Sequence, residues 1–167
     1  VRCTEHWQGH SKDLRTAIAY SCNSYFCNVF RLIVDNPEYH NPRLGYLKWK
    51  EYMNAFGYGV DLNIDLPSED DGNIPDTSGY NRDFGGPRWN SCNIVTLGIG
   101  QDRMLVTPLQ MANAMCIIAN KGYYYTPNFI DSIEDEKISA TAFLAKYKLK
   151  HEALSHVSDS SFNKVHV

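Results

Sequence analysis

The run GIGQDRMLVTPLQMANAMCIIANKG at residues 98–122 constrains the fold more than any other part of the chain. Thr107 stands as an N-cap, Pro108 occupies the first helical position, and Gln110 follows three residues after the cap. TPLQ therefore spells a capping box, in which cap and third residue satisfy each other's free backbone N–H groups. Leu109, Ala112, Met115 or Met111, and Ile118 recur at helical spacing and predict the buried face, with Gly122 as the C-terminal stop. The glycine-flanked GIGQ predicts a tight connection into that helix. Capped helices after glycine turns are common, so only the whole string, in this order, is specific.

A second apolar stripe runs through Leu14, Ala17, Ile18, Cys22, Tyr25, Phe26, Val29, Phe30 and Ile33, with Ser21 at a core-facing step. Residues two apart on an unbroken helix point away from each other, so Ser21 and Asn23 can serve one site only if the helix breaks between them. Asn23 and Ser24 are suited to cap a restarted helix. Two readings follow: the pair only caps helices, or it forms the floor of a cleft. SCN recurs at Ser91, Cys92 and Asn93, but there β-branched Ile94, Val95 and Thr96 follow and no helix precedes. That copy reads as the start of a short strand and as chance.

Elsewhere LGYLKWKEYMNAFGYG (44–59) predicts a helix burying Leu44, Leu47, Trp49, Tyr52, Met53 and Phe56, closed by Gly57. Residues 60–93 read as a long loop, a candidate cleft rim. YYYTPNFI (123–130) reads as extended, DSIEDEKI as a turn, and 139–150 and 158–167 as helices.

Taken in order, SCNSYFCNVF, WxxYMNxFGYG, IDLP with GNIP, GIGQ and VTPLQ cover residues 14–130 and resemble the class B, elongation-type penicillin-binding proteins, the serine D,D-transpeptidases of bacterial cell walls. The resemblance implies that Ser21 and Asn23 are that family's SxN motif, Ser21 relaying a proton to the leaving amine and Asn23 orienting the substrate amide. One departure is Asp102, where the family has a glycine after GIGQ. The family also needs a nucleophilic SxxK and a KTG or KSG strand. No KTG or KSG occurs, and Ser161 with Lys164, the only SxxK string, lies downstream of SxN and reads as solvated helix. The expectation is that residues 1–167 are a partial transpeptidase domain, cut at both ends, with nucleophile and KTG strand outside the chain and no activity alone. Its fold would be a mainly α fragment of the α/β penicillin-binding protein/β-lactamase-like fold, a helical subdomain with a few short strands. The parent would cross-link peptidoglycan stem peptides through a serine acyl-enzyme, be acylated by β-lactam antibiotics, and support cell shape with wall-elongation membrane proteins. It would sit on the periplasmic face of the inner membrane, held by one anchor. The alternative is a non-catalytic penicillin-binding sensor or peptidoglycan-binding module of the same fold.

At 167 residues, 43% hydrophobic and 21% charged, the chain is long enough to bury one core. A net charge of −3 supplies no basic field for nucleic acid. No apolar run reaches membrane-spanning length and no signal peptide is visible. Of the five cysteines, Cys22, Cys27 and Cys116 fall among apolar helical residues, where a thiol behaves as a small hydrophobe. Cys3, His6 and His10 form CxxHxxxH, a spacing that can bring a thiolate and two imidazoles to one zinc ion. A fourth ligand is missing locally, although Asp13 is near in sequence. The competing reading of residues 1–12 is a solvated polar lead-in; a zinc-stabilised structural domain is the third functional class.

Overall fold

The computed structural model describes residues 3, 11–130, 145 and 149–163, and its helices begin largely where the sequence supplies caps. Helix α1, Leu14–Ala19, opens on Asp13, whose carboxylate accepts the Thr16 N–H at 2.8 Å while the Thr16 hydroxyl accepts from the Asp13 N–H. It ends after six residues, and α2, Asn23–Val34, starts after three intervening residues. No side chain of residues 22–24 caps α2; its N-cap is Cys22 and Asn23 is already helical, which corrects the capping role expected of Asn23 and Ser24. The Ser24 N–H instead reaches Cys3 Sγ at 3.4 Å, so a sulfur 21 residues upstream takes one of the helix's unpaired donors.

The described residues gather into two units, residues 1–51 with 74–104, and residues 52–73 with 105–167. In the first, α2 packs along the 3-10 helix Ser91–Ile99. That element overturns the strand expected at the second SCN. Asn90 accepts from the Cys92 N–H and Asn93 accepts from the Asn90 N–H, both at 2.9 Å, and this local capping outweighs the β-preference of Ile94–Thr96. The close approach requires Gly98, where a Cβ would stand 2.7 Å from Phe30 Cβ and 2.8 Å from the Phe26 carbonyl oxygen. Helix α3, Pro42–Ala55, adds Tyr46 and Trp49 to Phe30, Tyr80, Trp89 and Ile94 in the core. Phe30 and Trp49 meet edge to face at 5.2 Å, and Tyr46 stacks on Trp49 at 5.7 Å. Leu44 and Leu47, expected inside, are exposed, because Gly45 turns the adjacent face toward α2. Residues 60–93 are not one loop: α4, Thr77–Asp83, lies within them, with Tyr80 buried and Trp89 Nε1 donating to Asn81.

In the second unit, α5, Pro108–Ala119, carries both bonds of its capping box: Thr107 Oγ1 accepts from Gln110 N at 3.2 Å and Gln110 Oε1 from Thr107 N at 3.1 Å. The buried face is Gln110, Asn113, Ala114 and Ile117; Met111, Ala112, Met115 and Cys116 are exposed, which corrects the face expected from apolar spacing. Gln110 decides this. Its Nε2 donates to the carbonyls of Val60 and Asp71, at 3.1 and 2.9 Å, and those partners exist only inside. Ile117 packs with Leu154 and Phe162, and with Tyr52 and Phe56 at their rim. Strand β1, Tyr123–Tyr125, pairs antiparallel with β2, Lys150–Glu152, in the register Tyr124 to His151. Residue 150 is thus strand where a helix was expected. A short helix, Asp159–Asn163, follows as anticipated, while DSIEDEKI and most of 139–149 lie outside the described residues. Carboxylates hold the 60–73 segment: Glu69 accepts from Leu62 N and Ile64 N, and Asp65 accepts from Phe129 N and Ile130 N.

Candidate active site

The junction between α1 and α2 carries Ser21 and Asn23, the residues expected to form SxN. Ser21 N–H bonds the Ile18 carbonyl at 3.1 Å and Cys22 N–H bonds the Ala17 carbonyl at 2.9 Å, which closes α1. Ser21 takes φ 47°, the left-handed region that costs a non-glycine residue roughly 1 kcal/mol. The chain therefore breaks between Ser21 and Asn23, as two side chains serving one site require. Ser21 is exposed, not core-facing; the break rotates it off the stripe and leaves Cys22 buried in its stead. Asn23 is half-buried, and neither side chain hydrogen-bonds another described residue. Ser91 differs in every respect. It is buried, and its hydroxyl donates to Asp35 Oδ2 at 2.6 Å, so the second SCN is structural.

Cys3 joins this junction. Its Sγ lies 3.6 Å from Cys22 Sγ and donates to Ser24 Oγ at 3.3 Å. Among the described residues no three His, Cys, Asp or Glu side chains gather as metal ligands; His6 and His10 lie outside those residues. Cys27 is buried nearby and burial pushes its thiol pKa up. Ser161 is exposed and shares its hydroxyl with Ser158 at 3.1 Å, and Lys164 lies outside the described residues.

The GIGQ turn keeps the conformation that glycine would give it. Gly100 closes the 3-10 helix in the left-handed region, and Asp102 has φ 76°. Asp102 compensates with its side chain: Tyr80 Oη donates to Asp102 Oδ2 at 2.7 Å. Burial first, and that bond second, push the Tyr80 hydroxyl far above the phenol range, so it stays a donor. Arg103 lies over the Tyr80 ring and pairs with Asp83 at 2.6 Å, joining the turn to α4. Sequence reading saw Asp102 as a departure without finding its partner, because Tyr80 is 22 residues away in a segment read as loop. Tyr80→Phe is expected to cost about 1 kcal/mol in urea denaturation, less than the usual gain for a bond to a charged group because Asp102 is exposed. In an Asp102→Gly background the same change is expected to cost nothing, and equal costs in both backgrounds would refute the coupling.

The penicillin-binding protein transpeptidase domain matches residues 2–166 of the chain. The chain belongs to the penicillin-binding protein transpeptidase family. Within it, the peptidoglycan D,D-transpeptidase MrdA of Haemophilus influenzae is 32% identical over 127 residues, 75% of this chain and 18% of that protein. Penicillin-binding protein H of Bacillus subtilis is 36% identical over 125 residues, 71% of this chain and 16% of that one. The crystal structure of Pseudomonas aeruginosa PBP2 in complex with WCK 5153 superposes with a TM-score of 0.53 at 28% identity, covering 70% of this chain and 24% of that one. The chain spans less than a quarter of the length of these relatives. The resemblance to elongation-type penicillin-binding proteins holds, and so does the mainly α transpeptidase-domain fold with short strands.

Proposed function

We propose that these residues supply the SxN side of a serine acyl-transfer site that cross-links peptidoglycan stem peptides. The observation that carries the reading is the helix break at Ser21, which leaves a hydroxyl exposed and an amide beside it with no competing partner among the described residues. A serine outside the chain attacks the D-Ala-D-Ala carbonyl, the terminal D-Ala leaves with a proton relayed through Ser21, and an amine of a second stem peptide takes the acyl group. Asn23 orients the substrate amide. β-Lactams acylate the same serine. The parent works with wall-elongation membrane proteins at the periplasmic face of the inner membrane, on a single anchor. No helix among the described residues is long and apolar enough to cross a membrane. Intact mass after incubation with benzylpenicillin tests this. An adduct is expected on the protein expressed from its complete gene and none on residues 1–167 alone. A complete protein without an adduct favours the non-catalytic peptidoglycan-binding module, and an adduct on the short chain displaces the nucleophile assignment.

A zinc ion beside the junction is the second part of the reading, and the Cys3–Cys22 approach favours it. Two thiolates on one tetrahedral zinc, with bonds of about 2.3 Å, stand roughly 3.8 Å apart; here the sulfurs are 3.6 Å apart. Cys22 thus fits the fourth position that the spacing CxxHxxxH leaves open. Bound zinc would fix the middle residue of SxN. Native mass spectrometry is expected to show one zinc per chain and about none in Cys22→Ser, with a fall in Tm on chelation; equal zinc in Cys22→Ser removes Cys22 from the site.

A further inference from the structure

Two open cavities of about 350 and 260 Å³ lie along α2 and share Asn28 and Arg31. They make one trough. Ser24, Cys27, Asn28 and Arg31 fall at i, i+3, i+4 and i+7 and so share a face of α2, opposite Cys92 and Val95 of the 3-10 helix; beyond Arg31 the trough continues to Asp35 and Pro37. Its lining begins at Ser24, the residue that follows Asn23 in the chain. From Ser24 to Asp35 the helix rise gives about 16 Å, the span of about five residues of extended peptide.

Its charge is unevenly committed. Asp35 Oδ2 takes the Ser91 hydroxyl at 2.6 Å, while Arg31 Nε stands 3.9 Å from that same oxygen, too far for a hydrogen bond. The Arg31 guanidinium, half exposed, has no bidentate partner among the described residues. A planar fork of N–H donors in a trough with a neighbouring amide suits a carboxylate. We propose that the trough binds a short extended peptide with a free carboxylate, held at Arg31 with Asn28 beside it. That the peptide is the second stem of the cross-linking reaction rests on the transpeptidase reading; the groove itself does not.

The test uses the complete protein after benzylpenicillin treatment, which blocks the donor site, and fluorescence anisotropy with a labelled stem pentapeptide ending in D-Ala-D-Ala as the carboxylate or as the amide. The carboxylate form is expected to bind about tenfold more tightly than the amide, and Arg31→Gln to remove that difference while Arg31→Lys keeps part of it. The amide comparison on the unaltered protein needs no variant to fold. Equal binding of acid and amide, no binding of either, or a difference that survives Arg31→Gln overturns the proposal. A missing penicillin adduct with the Arg31-dependent difference intact overturns the transpeptidase reading and leaves the groove standing.

Discussion

Ser21→Ala in the complete protein is expected to slow acylation by benzylpenicillin about a hundredfold, the lower range for loss of a positioned proton-transfer group. Stopped-flow or gel-based rates with a fluorescent penicillin would measure it. The fold gives little reason for a structural explanation, because Ser21 is exposed and its side chain bonds no described residue. Ser21→Gly sharpens the test. Glycine relieves the φ of 47° and is expected to hold or raise stability by up to about 1 kcal/mol, yet it removes the same hydroxyl. A glycine variant that is as stable as the parent and equally slow makes the hydroxyl chemical. Asn23→Ala is expected to slow acylation as well, through lost orientation. Unchanged rates in all three variants would end the SxN assignment.

Gly45→Ala is expected to be the most damaging single methyl in the first unit. A Cβ there would stand 2.1 Å from the Val34 carbonyl oxygen and 2.8 Å from its carbon, both backbone atoms with no rotamer to yield. Alanine ordinarily gains about 1 kcal/mol over glycine inside a helix. Here overpacking wins, because α2 and α3 must separate where Phe30, Tyr46 and Trp49 interlock, and the net loss is expected to exceed about 2 kcal/mol. Thermal or urea unfolding of Gly45→Ala, beside the control Gly79→Ala, whose Cβ would meet nothing nearer than 3.6 Å and whose φ is not positive, measures it. A Gly45→Ala protein as stable as that control would show that the two helices are less closely seated.

What was legible in the chain was local chemistry. The TPLQ capping box, the helix break inside SCN and the closure of α3 at Gly57 are written in neighbouring residues, and each stands as read. Burial was less legible, because it depends on partners far away. Gln110 outranks Met111 and Met115 for the interior since its amide has two buried carbonyls to bond, and apolar spacing carries no trace of Val60 or Asp71. Asn90 and Asn93 similarly turned a β-branched segment helical by a reciprocal cap that a strand reading overlooks. At the candidate site, Ser21 and Asn23 could be found from the motif, whereas Cys22 entered only when Cys3 was seen beside it.

The single amide of Gln110 spans the neck of the 60–71 segment, tying both of its ends to α5. A segment gathered at its base in this way can change length without moving the helix beneath it, since each doubling costs only about 0.6 kcal/mol of closure entropy. Evolution can therefore graft new tips at this place while keeping the helix and its cap, and variation among relatives should concentrate between the two bonded carbonyls.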